Sequence, residues 1–120
     1  MASVTLVCCH ARQPEYLARL IRVHEAYNWV SSIVALDTSA DFHFYREGKV
    51  LHGGIDCGFG FHRQPEVGGF DEIRARETAM RIARGEAGYW KLICDADELY
   101  HPDLVQVLDK AEQSAMPMLG

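Results

Sequence analysis

The sequence contains no apolar run approaching the roughly 20 residues that a membrane-spanning helix needs. Its opening, Met1-Ala2-Ser3-Val4, puts no basic region ahead of an apolar one, so no signal peptide is expected. Neither C-x-x-C nor H-x-x-x-H occurs among the four cysteines and six histidines, which argues against a zinc site. No G-x-x-x-x-G-K-[ST] is present, which excludes a P-loop. There is no basic excess either. The formal net charge is −5, a balance that suits neither a nucleic-acid backbone nor an anionic membrane surface. Internal repeats and low-complexity segments are absent as well. Cys8, Cys9 and Cys94 lie in strand-like runs, where cysteine acts as a small buried hydrophobe, so free thiols and a reducing cytoplasm are expected.

What is there reads as one domain over residues 1–114 with a short tail, 115–120. Hydrophobic content of 48% and charged content of 24% are ordinary for a globular chain. Val4–Cys9 is a continuous apolar strand followed by the polar loop His10–Gln13. Pro14 suits a first helical turn, and Leu17, Leu20, Ile21 and His24 follow at helical spacing, with the exit near Asn28. Val30–Leu36 is a second strand ending at Asp37, and the connection length predicts a parallel pair with a right-handed crossover. Asp37–Asp41 is turn-forming. Phe42–Tyr45 and Lys49–His52 flank Arg46-Glu47-Gly48, which fits a hairpin or one interrupted strand. Gly53–Gly69 reads as a loop. A helix follows from about Asp71 to Arg84, with Ile73, Ala79, Met80 and Ala83 on its apolar face and Gly85 as its stop. His101-Pro102-Asp103 opens the last helix, whose core face is Leu104, Val107, Leu108 and Ala111, and Pro117 halts it. The alternation β-α-β-(β)-α-β-α is that of an α/β layered fold with a mainly parallel sheet and flanking helices.

One stretch stands out. Tyr89–Cys94 is a short apolar run that breaks into Asp95, Asp97 and Glu98, three carboxylates within four positions. Chain direction puts them at the C-terminal end of a strand, the edge at which open α/β sheets bind ligands. Like charges about 4 Å apart cost roughly 4 kcal/mol at an effective dielectric near 20. The acids either splay into water, as a helix cap or solvated turn, or share a hard cation such as Mg²⁺ or Mn²⁺. Asp37 is expected on the same rim, from a neighbouring strand. Phosphohydrolase chemistry of the D-x-D-x-T type fits poorly, because the first strand ends in Cys8-Cys9-His10 and no threonine follows the acids.

These residues resemble the GT-A fold glycosyltransferases of the family 2 type. Asp37-Thr38-Ser39-Ala40-Asp41 is similar to that family's D-G-S-x-D turn after the second strand. Ala75-Arg76-Glu77, then Ile82-Ala83-Arg84-Gly85, the apolar strand and Asp95-Ala96-Asp97-Glu98 are similar to its A-R-N…A-x-G…D-A-D-D segment over about 25 residues. The resemblance implies a Rossmann-like GT-A half-domain and a transferase binding a UDP- or GDP-linked sugar. It implies that Asp37 contacts the base or ribose, that Asp95 lies near the ribose, and that Arg76 lies on the diphosphate side. Mn²⁺ or Mg²⁺ would be held at Asp95-Ala96-Asp97, chiefly by Asp97. Leu36 and Glu77 depart from the family's usual Asp and Asn. The family's second half carries the acceptor site and, in inverting members, the catalytic base. No residue is read here as either, so catalytic residues, acceptor and stereochemistry stay unassigned. The chain is therefore expected to be the nucleotide-sugar-binding half of such an enzyme, or else a non-catalytic binding module on the same fold. A half-built sheet would leave an edge uncovered and favour self-association.

Overall fold

The computed structural model describes residues 1–39, 42–55 and 72–119. Its elements in chain order are β1 (Val4–His10), α1 (Pro14–Glu25), β2 (Val30–Asp37), β3 (Tyr45–Glu47), β4 (Val50–Gly54), α2 (Glu72–Ala83), β5 (Trp90–Asp95) and α3 (Leu104–Leu119). The expected α/β class and the hairpin are both present. Gly48, at φ 61°, supplies the left-handed backbone that a two-residue turn between Glu47 and Val50 requires. Gly53 and Gly54, expected in a loop, belong to β4. Residues 56–69 of that loop, with Cys57, and the end of the turn at Ala40-Asp41 lie outside the described residues.

The strands form one mixed sheet in the order β3-β4-β2-β1-β5. β1 pairs parallel with both β2 and β5, β2 pairs parallel with β4, and β3 pairs antiparallel with β4. Period-two alternation decides what each face carries. Leu6 and Cys8 of β1 join Ile33 and Ala35 of β2, and α1 and α3 cover them through Leu17, Leu20 and Leu108. Val7, Val34 and Leu36 point the other way, onto Ala79 and Ala83 of α2. The result is three layers with a helix on either side of the sheet.

Each helix buries what its residues permit. On α1, Leu17, Leu20 and His24 are buried while Arg19, Arg22 and Glu25 are exposed. On α2, Ala75, Ala79 and Ala83 recur every four residues and are all but fully buried. Ala75 was not among the expected core positions, and the side chain of Ile73 lies outside the described residues. On α3 the expected face is rotated. Leu108 is buried with Leu104 and Val105 packed beside it, but Val107 is 61% exposed. Two polar anchors fix the rotation: Trp90 Nε1 donates to Glu112 Oε1 at 2.7 Å, and the backbone N–H of Ala2 donates to Asp109 Oδ1. Val105, Leu108, Asp109 and Glu112 then share one helical face. Pro117 does not halt this helix, which runs on to Leu119. A proline forfeits one backbone bond and crowds the carbonyl four residues before it, but only the final turn follows Pro117.

β5 is an edge strand, and its outward groups are partly closed. Tyr100 donates its hydroxyl to Ile93 O at 2.8 Å, and Asp95 N–H donates to Glu98 Oε1 at 2.7 Å. Blunting an edge in this way opposes strand addition. No described helix is long and apolar enough to cross a membrane.

Candidate functional site

The register fixes which residues share a rim. His10 pairs with Asp37, Asp37 with Gly54, and Cys9 with Asp95. Because these pairings are parallel, the C-terminal ends of β1, β2, β4 and β5 lie on one edge of the sheet. Asp37 and the Asp95/Asp97 turn are therefore on the same rim, as expected. They do not come from neighbouring strands, however. β1 lies between β2 and β5, so their ends stand about 10 Å apart across it. The sequence could not show this, because strand order depends on which side of β1 the connection into β5 returns.

That arrangement has a consequence. The connection from β1 to β2 carries α1 on one face, and the connection from β4 to β5 carries α2 on the other. β1 and β5 are adjacent, yet the chain steps from β1 outward through β2 and β4 before it returns to β5 on the other side of β1, so the strand order reverses there. A crevice opens outside the carboxyl ends of strands at such a reversal, and open α/β sheets bind ligands there.

On the β2 side, Asp37 Oδ1 accepts from Ser39 N–H at 2.9 Å and from Ser39 Oγ at 2.6 Å. This is an Asx-type turn, which explains why Asp and Ser stand two residues apart. It occupies one carboxylate oxygen and fixes the other. Thr38, fully buried, donates its N–H and its hydroxyl to His10 O at 2.8 and 3.2 Å, tying the β1 and β2 ends together.

His10, expected in the polar loop His10–Gln13, is instead the last residue of β1. Strand alternation puts its side chain on the α1 face, in line with Leu6 and Cys8, and that signal was available from period two alone. Its Nδ1 is buried and has no hydrogen-bond partner among the described residues. Burial holds the imidazole below its ordinary value, the Asp37 carboxylate opposes that, and His52 reinforces it. A neutral ring with an orphaned nitrogen beside a carboxylate offers one donor or acceptor to a ligand. Two residues on, Arg12 adopts φ 54°, which costs a non-glycine residue on the order of 1 kcal/mol.

On the β5 side, Ala96 is 2% exposed and anchors the turn, so Asp95 and Asp97 project into solvent on either side of it. Arg76, on α2, reaches Asp95 Oδ1 with Nη2 at 3.9 Å; the side chains are 43% and 67% exposed. Such a pair contributes about 0–1 kcal/mol, so it positions charge more than it stabilises the fold. The Asp97 carbonyl takes a long contact from Arg19 Nη2 at 3.5 Å. Glu98 is engaged with the Asp95 N–H, which makes it part of the turn's frame.

Among the described residues no three His, Cys, Asp or Glu side chains gather into a group that could hold a metal. Two outward carboxylates are too few for an all-protein cage. They do fit a hydrated Mg²⁺ or Mn²⁺ completed by substrate phosphates, which commonly uses one or two. Searches of known protein families, curated proteins and solved structures find no match for this chain.

Proposed function

We propose that this rim binds a nucleotide-diphosphate sugar together with Mn²⁺ or Mg²⁺, and that the domain is the Rossmann-like, nucleotide-binding half of a GT-A type glycosyltransferase whose sheet is mainly parallel at the site. The observation that carries this reading is the convergence of Asp37, His10, Arg76 and the Asp95/Asp97 turn on one rim around a strand reversal. In this reading the nucleotide lies across the end of β1. Asp37 accepts from its base or ribose, Asp95 stands near the ribose, and Arg76 neutralises part of the diphosphate. Asp97, with Asp95, holds the metal. The ion supplies a Lewis acid that stabilises the diphosphate as it leaves the sugar.

Calorimetry with UDP and GDP, each with and without Mn²⁺, tests this directly. Mn²⁺ is expected to tighten one of them by tenfold or more. Asp97→Ala is expected to remove that metal-dependent gain while leaving urea stability within about 0.5 kcal/mol, as befits an exposed side chain with no structural bond. An unchanged metal-dependent affinity in Asp97→Ala would overturn the assignment. Release of free sugar from a nucleotide-sugar panel then separates a transferase half from a module that only binds.

A further inference from the structure

Outside the rim, His24 is fixed at both of its ring nitrogens. It is fully buried on α1. Its Nδ1 lies 2.8 Å from Leu20 O, and its Nε2 lies 2.9 Å from the backbone N–H of Tyr100, 76 residues away in the chain. A carbonyl only accepts and a backbone N–H only donates. The ring must therefore carry its proton on Nδ1 and leave Nε2 bare. Tyr100 is held at two further atoms: its carbonyl accepts from Tyr27 OH at 3.0 Å, and its own hydroxyl donates to Ile93 O at 2.8 Å. Two residues before it, Glu98 closes the acidic turn, donating its N–H to Asp95 O at 3.0 Å and accepting Asp95 N–H at 2.7 Å. The turn is thus bracketed, by β5 on one side and by a tyrosine latched to α1 on the other.

We propose that His24 is the positioning residue of the acidic turn: through Tyr100 it holds Asp95–Glu98 and the seal on the β5 edge, and protonating its Nε2 releases both. A proton there would set one N–H against another and leave a charge in the core without a counter-ion, an arrangement that opens before it persists. The titratable groups at the ring are the phenols of Tyr27 and Tyr100, with ring centroids at 5.5 and 6.0 Å. On α1 itself Arg22 and Glu25 are exposed. Burial holds the imidazole below its ordinary 6.5, opposed only by the Leu20 carbonyl, and no charged side chain contributes. A lowered value in the latched state fixes the sign: the latch is at full strength above about pH 6.5 and is lost as pH falls through the latched-state value. None of this requires the rim to bind a nucleotide.

Amide hydrogen exchange on the full chain between pH 7 and pH 5 reads the latch. Corrected for intrinsic rates, protection at Tyr100 and Asp95 is expected to fall about tenfold per pH unit below roughly 6.5, one proton being taken up per opening. Val7 and Val34, at the centre of the sheet, are expected to keep theirs. His24→Gln, a non-titrating acceptor, should flatten the slope. Should that variant not fold, ring ¹⁵N shifts of the unaltered protein near pH 7.5 give the second reading, with Nδ1 protonated and Nε2 bare. Any of four results overturns the proposal: a protonated Nε2, an acid slope that survives His24→Gln, a Tyr100 response that Asp95 does not share, or loss at Val7 and Val34 in step. Calorimetry on the rim can fail without touching any of these.

Discussion

The two rims of the sheet are both charged, and they treat their charges in opposite ways. At the N-terminal rim Glu86 is only 11% exposed, and Arg46 Nη2 lies 2.9 Å from each of its carboxylate oxygens. Ser32 donates its hydroxyl to the same carboxylate. Lys49 Nζ donates to the carbonyls of Tyr27 and Val30 at 3.1 and 2.8 Å, and Lys91 Nζ to those of Glu86 and Gly88. Donors and acceptors meet there in a closed network that joins β2, β3 and the connection into β5. At the C-terminal rim the Asp95 and Asp97 carboxylates stand outward, the Arg76–Asp95 ion pair is 3.9 Å long, and the buried Nδ1 of His10 has no hydrogen-bond partner among the described residues. Both rims come from one chain of net charge −5, so composition cannot explain the difference. One rim spends its polar groups on the fold, and the other keeps them available, as a ligand site must.

The contrast predicts where substitutions hurt. The largest loss is expected on the closed rim, at Gly88. A Cβ there would lie 2.3 Å from Thr5 N and 2.4 Å from Val4 C, and backbone cannot swing aside as a side chain can. The same glycine donates its N–H to Thr5 Oγ1 at 3.1 Å. Gly88→Ala is expected to cost about 3 kcal/mol in urea unfolding, because β1 and the turn before β5 must part. A loss under about 1 kcal/mol would mean that this rim is looser than its contacts imply.

Glu86→Ala comes next, at about 2 kcal/mol, since it strands the buried Ser32 hydroxyl and removes the ion pair with Arg46. Its acid behaviour sharpens the comparison. Burial works against the charge on Glu86, but the bonds from Ser32 and Arg46 and the charges of Arg46 and Lys91 hold the carboxyl below its ordinary 4.5. A lowered carboxyl contributes stability that is full above about pH 4.5 and is lost as pH falls through the folded-state value. Unfolding free energies at pH 7 and pH 3 should therefore differ less in Glu86→Gln than in the unaltered protein. An equal difference in the two would return Glu86 to the ordinary surface.

How much of this was legible depended on whether a residue's partner is near in sequence. The runs Val4–Cys9 and Val30–Leu36 announce buried strands because those signals are local, while Arg46-Glu47-Gly48 fits either a hairpin or an interrupted strand and the pairing of β3 with β4 decides for the hairpin. Asp37 and Asp95 could be assigned to one rim from chain direction alone. Their separation by β1 could not, since it follows from the course of the chain between β4 and β5. The apolar spacing of α3 points to Val107 as core, but the bonds of Trp90 and Ala2 to Glu112 and Asp109 turn Val105 inward in its place. His24 sits at helical core spacing and reads as core; its bond to Tyr100 belongs to the tertiary structure alone.

The smallest expected effect is the one that best separates the rims. His10 is half-buried with an orphaned Nδ1, so its ring costs the fold a desolvated nitrogen and returns no hydrogen bond. Phe is close to imidazole in shape and asks for no partner. His10→Phe is therefore expected to leave urea stability unchanged or to raise it by about 0.5 kcal/mol, while weakening the proposed nucleotide binding severalfold through the lost polar contact beside Asp37. The equivalent removal of a polar group at Glu86 only destabilises. If His10→Phe instead cost the fold 1 kcal/mol or more, the nitrogen would have a structural partner, and this rim would be built on the same logic as the other.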